Sequence, residues 1–312
     1  MKWFKRIFIG LVGLYLLALG LDIFISKSLL NSSLFADELK IWNKVFKKNI
    51  KNEDVLFFGS SRAEVNIDPN IIHHDLNISA FNYGYNGQRL PLINYRIEQS
   101  IKNKETKNIV LVLDNFTFQK DYIFKIDHLS PIILYNIELY KLQSDIGYYN
   151  LVDIYIPLVR YFKNNEDFNW LHNVYKVYAY SQTRIYRELG YRKNNKVFNS
   201  NLINNKNSEI KFDKKVFELL SSLSKSCNKN NINLIFVTAP THSKELDRLS
   251  NHDEIVSKIA RFAKLNEILY LDYSRDESFI DDKYYADVTH LNAKGADIFT
   301  KKLAQDIKPY LK

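Results

Sequence analysis

Five short runs in this chain are almost continuously apolar, and they alternate with stretches of helical periodicity. The runs are Asp54–Phe58 (DVLFF), Ile78–Tyr83, Asn108–Asp114 (NIVLVLD), Ile232–Thr238 (INLIFVT) and Ile268–Tyr273 (ILYLDY). A strand without a polar face has to be covered on both sides, which is the condition of a parallel sheet packed between helices. The helical spacing falls between them, at Leu90–Ile101, Lys214–Ser226 and Ala293 to about Ile307, with Asn292 placed to N-cap the last. This pattern predicts an α/β fold: a three-layer α/β/α sandwich around a mostly parallel sheet of about five strands. In such sheets chemistry gathers at the carboxyl ends of the strands.

Between Phe116 and Glu209 the alternation stops. This stretch holds 12 of the 21 tyrosines and no buried strand pattern. Helical spacing recurs at Leu129–Leu142, Tyr148–Phe162 and Tyr175–Tyr191, and Lys193–Asn207 reads as a polar loop. The reading is a helical, Tyr-rich insertion, 116–210, after the third strand.

The amino terminus sets the compartment. Lys2, Lys5 and Arg6 precede the uncharged run Ile7–Leu21; Asp22 interrupts it, and Ile23–Ile25 follow. At about 1.5 Å per residue, Ile7–Ile25 spans about 28 Å, close to a bilayer core. The basic flank predicts a cytoplasmic N-terminus with the rest of the chain translocated. A cleaved signal peptide with Ala18-Leu19-Gly20 as its site is the rival. The run is longer than the ~7–15 residues of a signal core, which favours an uncleaved single-pass anchor. The expected organisation is an anchor (1–28), a juxtamembrane helix (29–50) and a body (51–312) interrupted by the insertion.

Composition then excludes whole classes. With 46% apolar and 25% charged residues, the chain is not mainly disordered. Cys227 is the only cysteine, so disulfides within the chain, Cys-based zinc sites and lipoprotein processing are excluded. The net charge of +9 resembles a nucleic-acid signal, but a body outside the membrane has no nucleic-acid partner. The charge is also regional. Residues 1–28 carry four basic and one acidic side chain, and Arg184–Lys215 carry nine and three. The second cluster suits an anionic polymer or lipid headgroups, and equally a solvated loop.

Four segments carry chemistry. Gly59-Ser60-Ser61-Arg62 follows the first strand, where glycine permits a tight turn and a serine is exposed for nucleophilic attack. Asp287-Val288-Thr289-His290 precedes the last helix; histidine is a general base suited to neutral pH, and the aspartate can orient its other nitrogen. Asn82-Tyr83-Gly84-Tyr85-Asn86-Gly87 ends the second strand, with Gly84 taken over Gly87 as the backbone donor to an oxyanion. Asp114-Asn115 ends the third, and the Asn115 amide is a second such donor. Each alone is a common turn or cap. Together they fall on one edge of the predicted sheet. Arg62 can bind a substrate carboxylate or phosphate, or serve a structural ion pair. His242, after Pro240, can contact substrate or simply belong to a loop. His73-His74-Asp75 is read as surface rather than as a metal site, since adjacent helical residues diverge.

In their order, Gly59-Ser60-Ser61, Gly84, Asn115 and Asp287-x-x-His290 resemble the four blocks of the SGNH/GDSL hydrolase superfamily. The N-terminal anchor, the Gly-Ser-Ser-Arg block and His290-Leu291-Asn292-Ala293-Lys294-Gly295 resemble its membrane-anchored branch, the teichoic-acid D-alanyl transfer and alginate-type O-acetylation proteins. The resemblance covers roughly Asp54–Asn115 and Ile232–Ile307. It departs from the family at Ser60, where an aspartate usually precedes the nucleophile, and at Asp-Asn-Phe, where Gly-x-Asn-Asp is usual. It implies Ser61, His290 and Asp287 as catalytic residues, with an oxyanion hole from Ser61, Gly84 and Asn115 and no cofactor or metal. It further implies a bacterial plasma-membrane protein with an extracytoplasmic domain that moves an acetyl or similar small acyl group to a cell-envelope glycopolymer or glycolipid. A membrane-bound O-acyltransferase is the implied partner. An SGNH esterase acting on an envelope ester and a non-catalytic envelope scaffold are the alternatives.

Overall fold

The computed structural model describes residues 2–31, 41–42, 44–45, 53–103, 106–119, 137, 140–141, 150–162, 187–199, 208–213 and 215–312. In chain order the elements are α1 (Lys2–Asn31), β1 (Val55–Phe58), α2 (Ser61–Asn66), α3 (Pro69–Leu76), β2 (Ala80–Asn82), α4 (Leu90–Asn103), β3 (Asn108–Val112), α5 (Leu151–Tyr155), α6 (Val159–Phe162), α7 (Lys215–Lys229), β4 (Asn233–Thr238), α8 (Ser243–Arg248), α9 (His252–Leu265), β5 (Leu269–Asp272) and α10 (Ala293–Ile307). They fall into two compact units, one drawn from residues 1–40 and 125–185, the other from 41–124 and 186–312.

The second unit is built on a five-stranded, wholly parallel sheet in the order β2-β1-β3-β4-β5. Its strands alternate sides, and both sides are dry. Leu56, Phe58, Ile109, Leu111 and Phe236 meet Ile93 and Ile97 of α4, Leu220 and Leu223 of α7, and Ile255 and Ile259 of α9. Val55, Phe57, Val110, Val112, Ile235 and Val237 meet Ile72 of α3 and Phe299, Leu303 and Ile307 of α10. Each such side chain gives about 1.5–3 kcal/mol on leaving water, so the strand runs can hardly be satisfied by another arrangement. The chain steps from β1 to β2 on one side and then crosses to β3 on the other. The carboxyl ends of β1 and β3 therefore frame the switch-point crevice.

Several boundaries differ from expectation. β2 is shorter than Ile78–Tyr83 because Ser79 is taken up by Asp54, whose Oδ2 accepts both its N–H and its hydroxyl (each 2.8 Å). The helices α8 and α9 were not singled out by spacing. The helical pattern over 148–162 splits at Pro157, which has no N–H to give. Of the expected juxtamembrane helix at 29–50, residues 29–31 continue α1, residues 41, 42, 44 and 45 are helical, and Ile41 and Val45 join the core; the rest lies outside the described residues. The 129–142 pattern falls almost wholly, and 175–191 mostly, outside them as well; Arg187–Tyr191 forms a turn rather than a helix, closed between Glu188 and Tyr191.

In the first unit, α1 is long and apolar enough to cross a membrane over Lys2–Ser28, with mean hydropathy 2.3. The one charged residue of its apolar stretch Ile7–Ile25, Asp22, is fully buried and bonded by the guanidinium of Arg160, which is also fully buried. Ser26 donates to Asp22 Oδ1 (3.2 Å), and the Leu158 N–H to Oδ2 (2.6 Å).

Candidate active site

Ser61 opens α2 at the carboxyl end of β1. Ser60 is the N-cap: its Oγ accepts the Arg62 N–H (3.3 Å) and its own hydroxyl is given to Asp114 Oδ2. Asp114 in turn caps the 3-10 turn Asn115–Phe118, accepting Thr117 N–H (2.8 Å) on Oδ1. Ser60 thus ties the start of α2 to an aspartate that stands after β3. Gly59 is required at the junction, since a Cβ there stands 2.9 Å from the Val112 carbonyl and 2.9 Å from Ala63 Cβ.

Across 229 residues of sequence, His290 Nε2 meets Ser61 Oγ at 2.7 Å. His290 Nδ1 faces both Asp287 oxygens, at 2.9 and 2.8 Å. Asp287 Oδ1 also accepts the N–H groups of Thr289 and His290 (each 2.9 Å), which closes the loop into the compact turn that an aspartate three residues before a histidine needs. Burial works to raise the Asp287 carboxyl, but the hydrogen bond and charge of His290 and the bonds from Thr289 outweigh it and hold the carboxyl at about 2. The imidazole therefore has an ionised partner on one nitrogen and a hydroxyl on the other. The next backbone N–H, Leu291, is held by Asn66 Oδ1 at 3.0 Å, from the end of the helix that Ser61 begins.

Around the serine, three expected contributors are placed differently from one another. The Ser61 N–H has no partner among the described residues. Asn115 is buried, and its Oδ1 lies 3.1 Å from His252 Nδ1, whose Nε2 lies 3.1 Å from Ser274 Oγ; the Asn115 amide nitrogen is left without a partner among the described residues. Burial lowers the His252 pKa, which favours its neutral ring with one donor and one acceptor nitrogen. Gly84 does not offer its amide: the N–H is given to Asn82 Oδ1 at 2.8 Å. Its lack of a side chain serves packing instead, because a Cβ there stands 2.3 Å from Glu64 N. In the same turn Gly87, at φ +73° with open space beside it, keeps an N–H without a partner among the described residues.

Arg62 and His242 are not placed to meet substrate. Arg62 is buried, and its Nη2 donates to the Ala239 and Pro240 carbonyls (each 2.6 Å) and to Thr241 Oγ1 (2.7 Å). It braces the end of β4 against α2, with Asp114 among the charges that compensate its burial. His242 is buried between Phe198 and Tyr285, caps α8 by accepting Lys244 N–H (3.2 Å), and faces Asp282 at 2.8 Å. The basic cluster is partly structural too, since Arg187 and Arg192 (3.0 Å) pair with the fully buried Glu64 of α2. His73 Nδ1 turns to the Ile78 carbonyl and His74 to Asp75, and among the described residues no group of three or more His, Cys, Asp or Glu side chains is placed to hold a metal.

Asn66, His252 and Ser274 were missed by sequence reasoning. Asn66 carries a weak signal, five residues after the serine at the end of a short helix; His252 and Ser274 have none, being joined to Asn115 only by the fold.

No protein-family model matches the chain, and no curated protein matches it. Among solved structures, it is similar to a GDSL-like lipase from Bacteroides thetaiotaomicron (15% identity, 89% of this chain and 99% of that one, TM-score 0.44). It is also similar to a lipase/acylhydrolase from Enterococcus faecalis (12% identity, 83% of this chain and 96% of that one, TM-score 0.39).

Proposed function

We propose that this chain is a membrane-anchored serine acyl-transfer enzyme of the SGNH type, with its site on the extracytoplasmic side of a bacterial plasma membrane. The observation that carries the reading is the line Asp287–His290–Ser61, with His290 Nε2 2.7 Å from Ser61 Oγ. Ser61 Oγ attacks the carbonyl carbon of an ester or thioester, and its proton passes to His290 Nε2. Asp287 stays ionised and stabilises the imidazolium. The oxyanion is met by the Ser61 N–H and the Asn115 amide, with Gly87 rather than Gly84 as the further backbone donor. Collapse expels the leaving group, which takes the proton from His290 and leaves acyl-Ser61. An acceptor hydroxyl then attacks the acyl carbon and gives its proton to His290; collapse breaks the bond to Ser61 Oγ, which takes that proton back from His290 as the acylated acceptor departs.

The acyl group is acetyl or similarly small and the acceptor is a sugar or polyol of an envelope glycopolymer or glycolipid, by the resemblance of the Ser61 and His290 blocks to the envelope-acylating branch. A membrane-bound O-acyltransferase is the corresponding donor partner. If water is the acceptor, the same steps make an esterase. A scaffold without catalysis would not require the three side chains to converge.

A fluorophosphonate probe tests the reading. It labels the full-length protein and fails on Ser61→Ala; equal labelling of both overturns the assignment. Partition of the acyl-enzyme between water and an added oligosaccharide then separates esterase from transferase.

A further inference from the structure

The Asp22–Arg160 pair gives the insertion a place. A charge within an apolar span is costly unless it is paired, and here the pair is complete: two guanidinium nitrogens on two carboxylate oxygens, with Ser26 and the Leu158 N–H filling the remaining sites. All of these partners lie either on α1 or on residues 158–160.

The same segment reaches far along α1. Tyr15 donates its hydroxyl to the Tyr155 carbonyl at 2.9 Å, and Ser26 Oγ lies 2.7 Å from the Tyr161 hydroxyl. From Arg6 to Ser26 the helix covers about 30 Å, a hydrocarbon core; Tyr15 stands near its middle. Residues 155–161 therefore run beside α1 from about mid-span to its far end. Their outward side chains suit that depth. Leu151 (62% exposed), Val152 (47%), Tyr155 (63%) and Ile156 (48%) face out, as Leu14, Leu17, Leu21 and Phe24 of α1 do. The charged groups of the segment turn inward: Asp153 is buried and closes a capping box with Asn150, which is exposed at the segment's start, and Arg160 faces Asp22.

We propose that residues 150–162 are a membrane-embedded element, lying against the anchor within the leaflet away from its basic flank, where Leu151, Val152, Tyr155 and Ile156 meet lipid acyl chains. The proposal rests on reading α1 as a membrane anchor, and it deepens that reading: the insertion returns to the bilayer, and Arg160 is what makes Asp22 tolerable there.

Spin-label accessibility tests it. The full-length protein is reconstituted in phosphatidylcholine–phosphatidylglycerol vesicles with a single introduced cysteine at Leu151, Tyr155 or Ile156, at Leu17 as the anchor reference, and at Lys196 as the aqueous reference. Cys227 is buried and reacts little, and the unsubstituted protein is the control. These positions are exposed, so the substitutions spare the fold. The expected result is that labels at Leu151, Tyr155 and Ile156 collide with oxygen in preference to a water-soluble nickel chelate, as at Leu17 and opposite to Lys196. If they read as Lys196 does while Leu17 reads as lipid, the proposal is overturned and the anchor stands. If Leu17 itself reads as water, the anchor reading falls and the proposal falls with it.

Discussion

Asn66, the last residue of the helix that begins with Ser61, accepts the backbone N–H of Leu291 on its Oδ1 at 3.0 Å. One six-residue helix therefore sets both the nucleophile and the loop that carries its base. Asn66→Ala should remove that support from a fully buried position, costing about 1–3 kcal/mol of stability. Fluorophosphonate labelling of Ser61 should slow beyond what the fraction unfolded explains. Urea unfolding and labelling rate, measured on one preparation, check both.

The two glycines after β2 should behave in opposite ways. Gly84→Ala places a methyl 2.3 Å from Glu64 N and should destabilise by about 1–3 kcal/mol or more, because backbone has to move. Gly87→Asn meets nothing within 4 Å, asparagine tolerates a left-handed backbone, and the N–H survives. Thermal melts should separate the pair, and labelling should persist in Gly87→Asn.

Asn115 and His252 should act as one unit. Asn115→Ala should lower kcat by about 10²–10³-fold with little change in KM, the usual cost of one oxyanion donor. His252→Phe removes the group that fixes the Asn115 amide and should lower kcat by less. The double variant should be no worse than Asn115→Ala, since the histidine acts through the asparagine. Full additivity in kcat contradicts this arrangement.

The pH dependence of stability follows from Asp287. Its carboxyl is held at about 2 in the folded chain, below the ~3.9 of an unfolded aspartate, so the folded state binds its proton less readily. The contribution is complete above the unfolded value and is lost as pH falls from there through about 2. Asp287→Asn should flatten that part of the acid unfolding curve. It should also slow turnover severely at neutral pH, where the wild-type carboxylate is ionised.

Arg160→Leu should strand the Asp22 carboxylate in a buried place, an imbalance worth about 3–5 kcal/mol. The segment around Leu158 should then become open to protease in membranes that hold the wild type intact. Adding Asp22→Leu to Arg160→Leu should restore protection, because the burial no longer includes a charge.

The sheet was legible because each strand is apolar on both faces, and only a covered parallel sheet accepts such strands. The final helix was legible to the residue, since Asn292 is a strong cap and its side chain does accept the Gly295 N–H at 3.0 Å. Ser61, Asp287 and His290 stood out because each follows a strand or precedes a helix at the edge where function gathers. What failed is the use of each neighbour. Whether Gly84 offers its N–H depends on Asn82 folding back two residues, and whether Arg62 meets substrate depends on the carbonyls of Ala239 and Pro240, more than 170 residues away. The sequence alone also made Asp22 a blemish in an apolar run. Its partner lies 138 residues on, in a stretch with no strand pattern to mark it.

The distance along the chain between Ser61 and His290 has a consequence in time. A chain that leaves the ribosome from its N-terminus presents its serine 229 residues before the histidine that faces it. Through all of that interval Ser61 Oγ has no imidazole beside it, so on the proposed reading its hydroxyl is unactivated. On the proposed reading, chemistry begins only when the loop bearing His290 arrives and Asn66 takes the N–H of Leu291 behind it, which makes completion of the fold the switch for the site.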